Sequence, residues 1–132
     1  MSTLLLDTNI VSYLMRGHSL AAGYQPYLDG QVLAISFMTV AEMHEGALRA
    51  NWGERKRARL ASVLRSYLAI PSSPEICERW GEVRFTRRQQ PISGEDAWIA
   101  ATALAYDISL VTHNRSDFED IPGLKLVSLN AV

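Results

Sequence analysis

The sequence predicts an α/β fold: a central parallel sheet of four to five strands with helices on both faces, in one domain spanning residues 1–132. Three observations carry this expectation. Short apolar runs alternate with longer segments of helical periodicity, the order that a doubly wound sheet requires. The late segment Glu95–Tyr106 is apolar nearly all round, so it belongs to a helix buried against a sheet. No stretch rich in Pro, Gly or Ser divides the chain, and no repeat or low-complexity run interrupts it.

The elements follow in order. Thr3–Leu6 is a short apolar run that stops at Asp7, as a buried strand would. Asn9–Arg16 reads as a helix closed by Gly17, and Leu20–Leu28 as a second, with Pro26 arguing for an irregularity near its end. Asp29-Gly30 is a turn, and Val32–Ser36 a second buried strand. Thr39–Ala50 carries Val40, Met43, Ala47 and Leu48 at helical spacing. Gly53–Leu68 is a long basic amphipathic helix with Leu60, Val63, Leu64 and Tyr67 on its apolar face. Ala69-Ile70 suits a very short strand before Pro71. Pro74–Gln89 is helical, with Ile76, Trp80, Val83 and Arg87 on successive turns. Alanines in Glu95–Tyr106 permit close packing on the sheet. Ser109–Thr112 and Lys125–Ser128 complete the strands.

Of 132 residues, 48% are hydrophobic, enough for a core without disulfides or a structural metal. The single cysteine, Cys77, excludes an intrachain disulfide and reads as a core residue of its helix. Met1–Leu6 has neither a basic leader nor the length of a membrane span, so the expected setting is cytoplasmic, with no membrane contact. Net charge is −1, from 13 Lys+Arg against 14 Asp+Glu, which gives no sign of a strongly basic nucleic-acid binder. The arginines nevertheless clump, at Arg49–Arg59 and at Arg84–Arg88, and such clusters read either as solvated helix faces or as local basic patches.

Ligands of an open parallel sheet bind beyond the carboxyl ends of its strands. Asp7 directly follows the first strand, Glu42 lies a helical turn past the second, and Thr112, Asn114 and Asp117 follow the strand at 109–112. Asp96 opens the buried helix. Four carboxylates from distant parts of the sequence thus converge on one edge. Clustered carboxylates repel, and a hard divalent cation such as Mg²⁺ or Mn²⁺ relieves that repulsion while activating water against a phosphodiester. Each acid also has a local reading. Thr39-Val-Ala-Glu42 and Ser93-Gly-Glu-Asp96 have the form of capping boxes, and Asp7 can cap the helix near Asn9.

Other chemistries lack their residues. His44-Glu45 begins like a zinc-protease motif, but no second histidine follows at the needed spacing. No Gly-x-Ser-x-Gly elbow, phosphate-binding glycine loop or cysteine pair is present. His18, His44 and His113 are dispersed and read as surface residues. Trp52, beside a basic run, is the tryptophan best placed for RNA contact. An aspartate-nucleophile phosphatase would use Asp7, but its usual second aspartate falls at Asn9. A binding module of the same fold without catalysis is the other alternative.

Leu5-Leu-Asp-Thr-Asn9, Thr39-Val-Ala-Glu42 with Gly46-Ala47, Asp96-Ala-Trp-Ile-Ala-Ala-Thr-Ala-Leu104, Val111-Thr-His-Asn114 with Asp117-Phe118, and Ile121-Pro-Gly-Leu124 stand in an order that is informative as a set. In these the chain resembles, over essentially its whole length, the PIN-domain ribonucleases, and among them the VapC-type toxins of toxin–antitoxin pairs. The resemblance implies an endoribonuclease acting on RNA such as tRNA or ribosomal RNA. Asp7, Glu42 and Asp96 would be the metal-binding acids, with Asp117 the fourth carboxylate. Thr112 would orient a carboxylate or water, and Asn9 would support Asp7. Many relatives carry an aspartate where Asn114 stands, which makes one ion the expectation. Arg16, Arg49 and Arg87 are the candidate phosphate contacts. The resemblance also implies a homodimer and a VapB-type antitoxin that inserts a segment into the groove, with the helices between Thr39 and Leu68 as the contact surface.

Overall fold

The computed structural model describes residues 1–130. Among these residues, five strands, β1 (Thr3–Leu6), β2 (Val32–Ser36), β3 (Leu68–Ile70), β4 (Ser109–Val111) and β5 (Leu126–Val127), pair in the order β3-β2-β1-β4-β5, every pair parallel. Six helices connect them: α1 (Thr8–Arg16), α2 (Ser19–Leu28), α3 (Phe37–Arg49), α4 (Glu54–Arg65), α5 (Pro74–Thr86) and α6 (Gly94–Tyr106). A single 3-10 turn, Arg115–Asp117, follows β4.

Strand alternation divides the core in two. Leu5, Ala34 and Leu110 project to one face and pack under α5 and α6, with Ile76, Val83, Ala97, Ala100, Ala101 and Phe118. Leu6, Ile35 and Val111, each the next residue along, project to the opposite face under α1, α2 and α4, with Ile10, Tyr24, Leu28, Leu60 and Leu64. The central strands β1, β2 and β4 are therefore buried on both sides, which is why they read as continuous apolar runs. Alanines let α6 lie close to the sheet: Ala97, Ala100, Ala101 and Ala103 are all buried.

The differences from the expected elements have local causes. Pro26 does not end α2, which runs through it to Leu28; the proline falls in the last turn, where little helix remains to disrupt. The fourth helix stops at Arg65 because the chain turns at Ser66 to enter the edge strand β3. Its successor α5 ends at Thr86, short of Gln89. Cys77 is exposed rather than a core residue, since the face of α5 turned to the sheet carries Ile76 and Val83 instead. The third helix begins at Phe37 with Ser36 as its N-cap, so Thr39 and Glu42 lie inside it and form no capping box.

The chain leaves β1 toward β2 and β3 on one side and returns to β4 and β5 on the other. The order of strands reverses between β1 and β4, and in such sheets a crevice opens beyond the carboxyl ends at that reversal.

Candidate active site

Asp7 stands in that crevice. Its backbone N–H still donates to Val111 O of β4 (2.9 Å), while its carbonyl receives the first N–H groups of α1. The side chain is 4% exposed. Oδ1 accepts from the backbone N–H of Thr8 at 2.8 Å, which makes Asp7 the N-cap of α1, and Oδ2 accepts from Thr112 Oγ1 at 2.7 Å. Thr112 Oγ1 in turn accepts from the backbone N–H of Asn114 at 3.0 Å. The hydroxyl proton is thereby committed to Asp7, and the buried carboxylate is fixed by donors from the start of α1 and from just past the end of β4.

A second set of bonds ties α3 to this centre. Thr8 Oγ1 donates to Glu42 Oε1 at 2.8 Å and lies 3.0 Å from Thr39 Oγ1. The Thr39 side chain is fully buried. Thr8 and Thr39 were not singled out by sequence reasoning as site residues. The available signal was positional: Thr8 is the first residue past Asp7, and Thr39 lies one turn before Glu42 on the same helical face.

The remaining acids arrive from α6 and from the 3-10 turn. Ser93 caps α6, its Oγ accepting from the backbone N–H of Asp96 at 3.1 Å, so this half of the capping box is real. Asp117 is held from behind by Arg87, whose Nη1 donates to the Asp117 carbonyl at 3.2 Å and whose Nε donates to Gln90 O at 3.0 Å.

These carboxylates feel one another. Burial pushes the Asp7 carboxyl above its ordinary range, against the lowering effect of its hydrogen bonds to Thr112 and Thr8, and the charges of Glu42 and Asp117 push it further. Burial also raises Glu42, partly opposed by Thr8, and Asp96, Glu95 and Glu45 add to the rise. Asp96 is pushed up to about 6 by burial first, then by Asp7 and Asp117. All four predicted acids thus share one electrostatic neighbourhood. Among the described residues, no three His, Cys, Asp or Glu side chains stand as a ready three-ligand cage. The oxygen-only donor set suits Mg²⁺ or Mn²⁺, and Mg²⁺ in particular keeps much of its water shell and takes only one or two carboxylates directly.

Other predicted residues divide. Asn9 makes no hydrogen bond to Asp7; the support expected of it comes from the Thr8 backbone, and the exposed Asn9 side chain lines a groove beside Thr8 and Glu42. Asn114 acts through its backbone. Arg16 lines the same groove, whereas Arg49 lies outside it, exposed and paired with Glu45 at 3.4 Å. Arg87 is engaged in holding the Asp117 turn. His113 is not a surface residue: it is half-buried, with Nδ1 at 2.6 Å from Tyr24 Oη. His18 Nδ1 caps α2, accepting from Leu20 N at 3.1 Å.

The PIN-domain family model matches residues 4–124. A ribonuclease VapC1 of Haemophilus influenzae is 31% identical over 125 residues, covering 92% of this chain and 93% of that protein. Among solved structures, VapBC2 from Rickettsia felis bound to a DNA fragment from its promoter superposes with a TM-score of 0.82 at 28% identity, covering 96% of this chain and 98% of that one. VapBC-1 from nontypeable Haemophilus influenzae gives a TM-score of 0.79 at 29% identity, covering 97% and 98%. Among the described residues no helix is long and apolar enough to cross a membrane. With a parallel sheet of this order, and with matches that span nearly its full length, the chain belongs to the PIN-domain family, among the VapC ribonucleases.

Proposed function

We infer that the protein is a metal-dependent endoribonuclease and the toxin of a toxin–antitoxin pair, hydrolysing phosphodiester bonds in cellular RNA such as tRNA or ribosomal RNA. The observation that carries this reading is the hydrogen-bonded assembly of Asp7, Thr8, Glu42 and Thr112 at the carboxyl end of the sheet, where burial and neighbouring acids raise Asp7, Glu42 and Asp96. Such an arrangement of acids favours a cation.

Asp7 and Asp96 would hold Mg²⁺ or Mn²⁺, with Glu42 assisting and Asp117 contributing charge. When bound, the ion supplies Lewis-acid stabilisation of the phosphate and a more acidic water. The chain's own residues do the rest. Thr112 and the Thr8 N–H each occupy one lone pair of Asp7 and aim the others into the crevice. Thr8 fixes Glu42 through Oε1, leaving Oε2 to accept the proton of the attacking water. Arg87 keeps the Asp117 turn in place. Arg16, at the groove, is positioned for a flanking phosphate.

A VapB-type antitoxin is the proposed partner, on the strength of the VapBC complexes that the fold resembles, and a second copy of the chain is proposed beside it. α3 and α4 are the proposed contact helices; α3 lines the groove and exposes Leu48. Cytoplasmic location is proposed with them.

The test is to incubate the purified, partner-free protein with total cellular RNA in Mg²⁺ or Mn²⁺ and then in EDTA, beside Asp7→Asn and Asp96→Asn. Discrete fragments that require metal and vanish in both variants are expected. A folded wild type that cuts nothing under any metal returns the carboxylates to capping and favours the non-catalytic binding module.

A further inference from the structure

The groove beside the acids continues into a second one. The first runs from Thr8, Asn9 and Glu42 to Met15, Arg16 and Trp52; the second is lined by Met15, Arg16, Trp52, Lys56 and Arg59. The two share Met15, Arg16 and Trp52, so a single path leads from the carboxylates along α1 to the start of α4. From Thr8 to Arg16 the rise of α1 is about 12 Å, a distance that places the far end beyond the scissile bond.

The composition of that far end is specific. Trp52 supplies a half-buried indole, and Lys56 Nζ lies over the ring at 5.3 Å from its centroid. Arg16, Lys56 and Arg59 are exposed and line it with cations, and no acid lines it. None of the three enters an ion pair among the described residues, in contrast to Arg49, Arg79, Arg115 and Lys125. An aromatic ring ringed by unneutralised cations is how single-stranded nucleic acid is held: a base against the ring, phosphates against the charges.

We propose that Trp52, Lys56 and Arg59, with Arg16, form a binding subsite for a nucleotide of single-stranded RNA flanking the cleavage position. The proposal rests on the nuclease reading above and deepens it. A base stacks on Trp52 and displaces Lys56 from the ring; the freed ammonium and Arg59 then take the adjoining phosphates.

The test measures binding in EDTA, independently of cleavage. A labelled single-stranded oligouridylate is titrated against wild type, Trp52→Leu, Trp52→Phe and Arg59→Gln by anisotropy, over a range of salt. The expected results are about tenfold weaker binding for Trp52→Leu and recovery of most of the affinity in Trp52→Phe. Arg59→Gln should flatten the slope of log K against log salt by about 0.7. Tryptophan quenching by the RNA should vanish in Trp52→Phe, although Trp80 and Trp98 remain. Arg59 is exposed, so its variant reports even where Trp52→Leu folds poorly. If wild type cuts RNA with metal while binding and salt slope are unchanged in these variants, the subsite is wrong and the nuclease stands. If wild type neither binds nor cuts, the nuclease reading falls too. Loss of affinity for a partner protein with RNA binding unchanged would make the groove a protein-docking surface and overturn the proposal.

Discussion

The two halves of the acid cluster are built differently. On the β1–β4–α3 side, each acid is held by hydrogen bonds: Asp7 takes donors on both oxygens, Thr112 is oriented by Asn114, and Glu42 is fixed through Oε1 by Thr8. On the α6 side, Asp96 has only Ser93 to lower its pKa, and among the described residues Asp117 receives no donor on its carboxylate. One half is preorganised by hydrogen bonds; the other is left under electrostatic tension. The difference separates two jobs that a cation site needs, a fixed anchor and an unmet demand for positive charge.

The comparison can be broken most severely by removing one acid from each half. Asp7→Asn and Asp96→Asn should both bring metal-dependent RNA cleavage to background in a gel assay. Thr8→Val keeps the backbone N–H but deletes the hydroxyl that joins Glu42, so cleavage should fall about 10- to 100-fold while thermal unfolding shows a folded protein. A drop no larger than that of a surface control would mean that Glu42 needs no anchor.

Acidity sharpens the contrast. Asp96 is raised from 3.8 to about 6 in the folded chain, so the folded state binds this proton more tightly than the unfolded one. In metal-free protein its contribution is therefore favourable at low pH and is lost as pH rises from about 4 through 6. Asp7 and Glu42, also raised, add in the same direction. The metal-free melting temperature should decrease between pH 5 and pH 7.5, roughly, and the increase produced by Mg²⁺ should be larger at the higher pH. Asp96→Asn should flatten both trends. Asp117→Asn should act more weakly, raising the melting temperature in EDTA by relieving Asp7 and Asp96 while weakening metal affinity. The smallest effect belongs to Arg49→Gln: its exposed pair with Glu45 lies outside the groove, and stability should stay within about 0.5 kcal/mol with cleavage unchanged.

The acids of both halves were legible in the sequence; the hydrogen bonds that hold Asp7 and Glu42 were only partly so. Acids placed after apolar runs are visible because strand ends can be read from Thr3–Leu6 and Ser109–Val111, and the parallel order then collects them. The sheet itself was legible for the same reason, down to the edge strand at Ile70. Hydrogen-bonded support is harder to read. Asn9 looked like the natural partner of Asp7, yet the neighbouring backbone N–H does that work, because a residue at an N-cap bonds the first free donors of its own helix. Thr39 looked like a cap because a threonine stands three residues before a glutamate. Ser36 had already started the helix, which turned Thr39 inward toward Thr8. Arg87 looked like a phosphate contact and is instead a strut for the Asp117 turn. Cys77 failed as a core residue because one face of a half-buried helix cannot be chosen without knowing the sheet below it.

The bond from Thr112 to Asp7 spans 105 residues of sequence. A growing chain presents Asp7 almost at once, but the hydroxyl that orients it arrives only when β4 has been made and has slotted in beside β1. Closing a parallel pair over such a separation carries a large loop-closure entropy. The centre therefore cannot be complete until most of the chain has been made, and a product cut short before Thr112 carries the first carboxylate without the hydroxyl that holds its Oδ2.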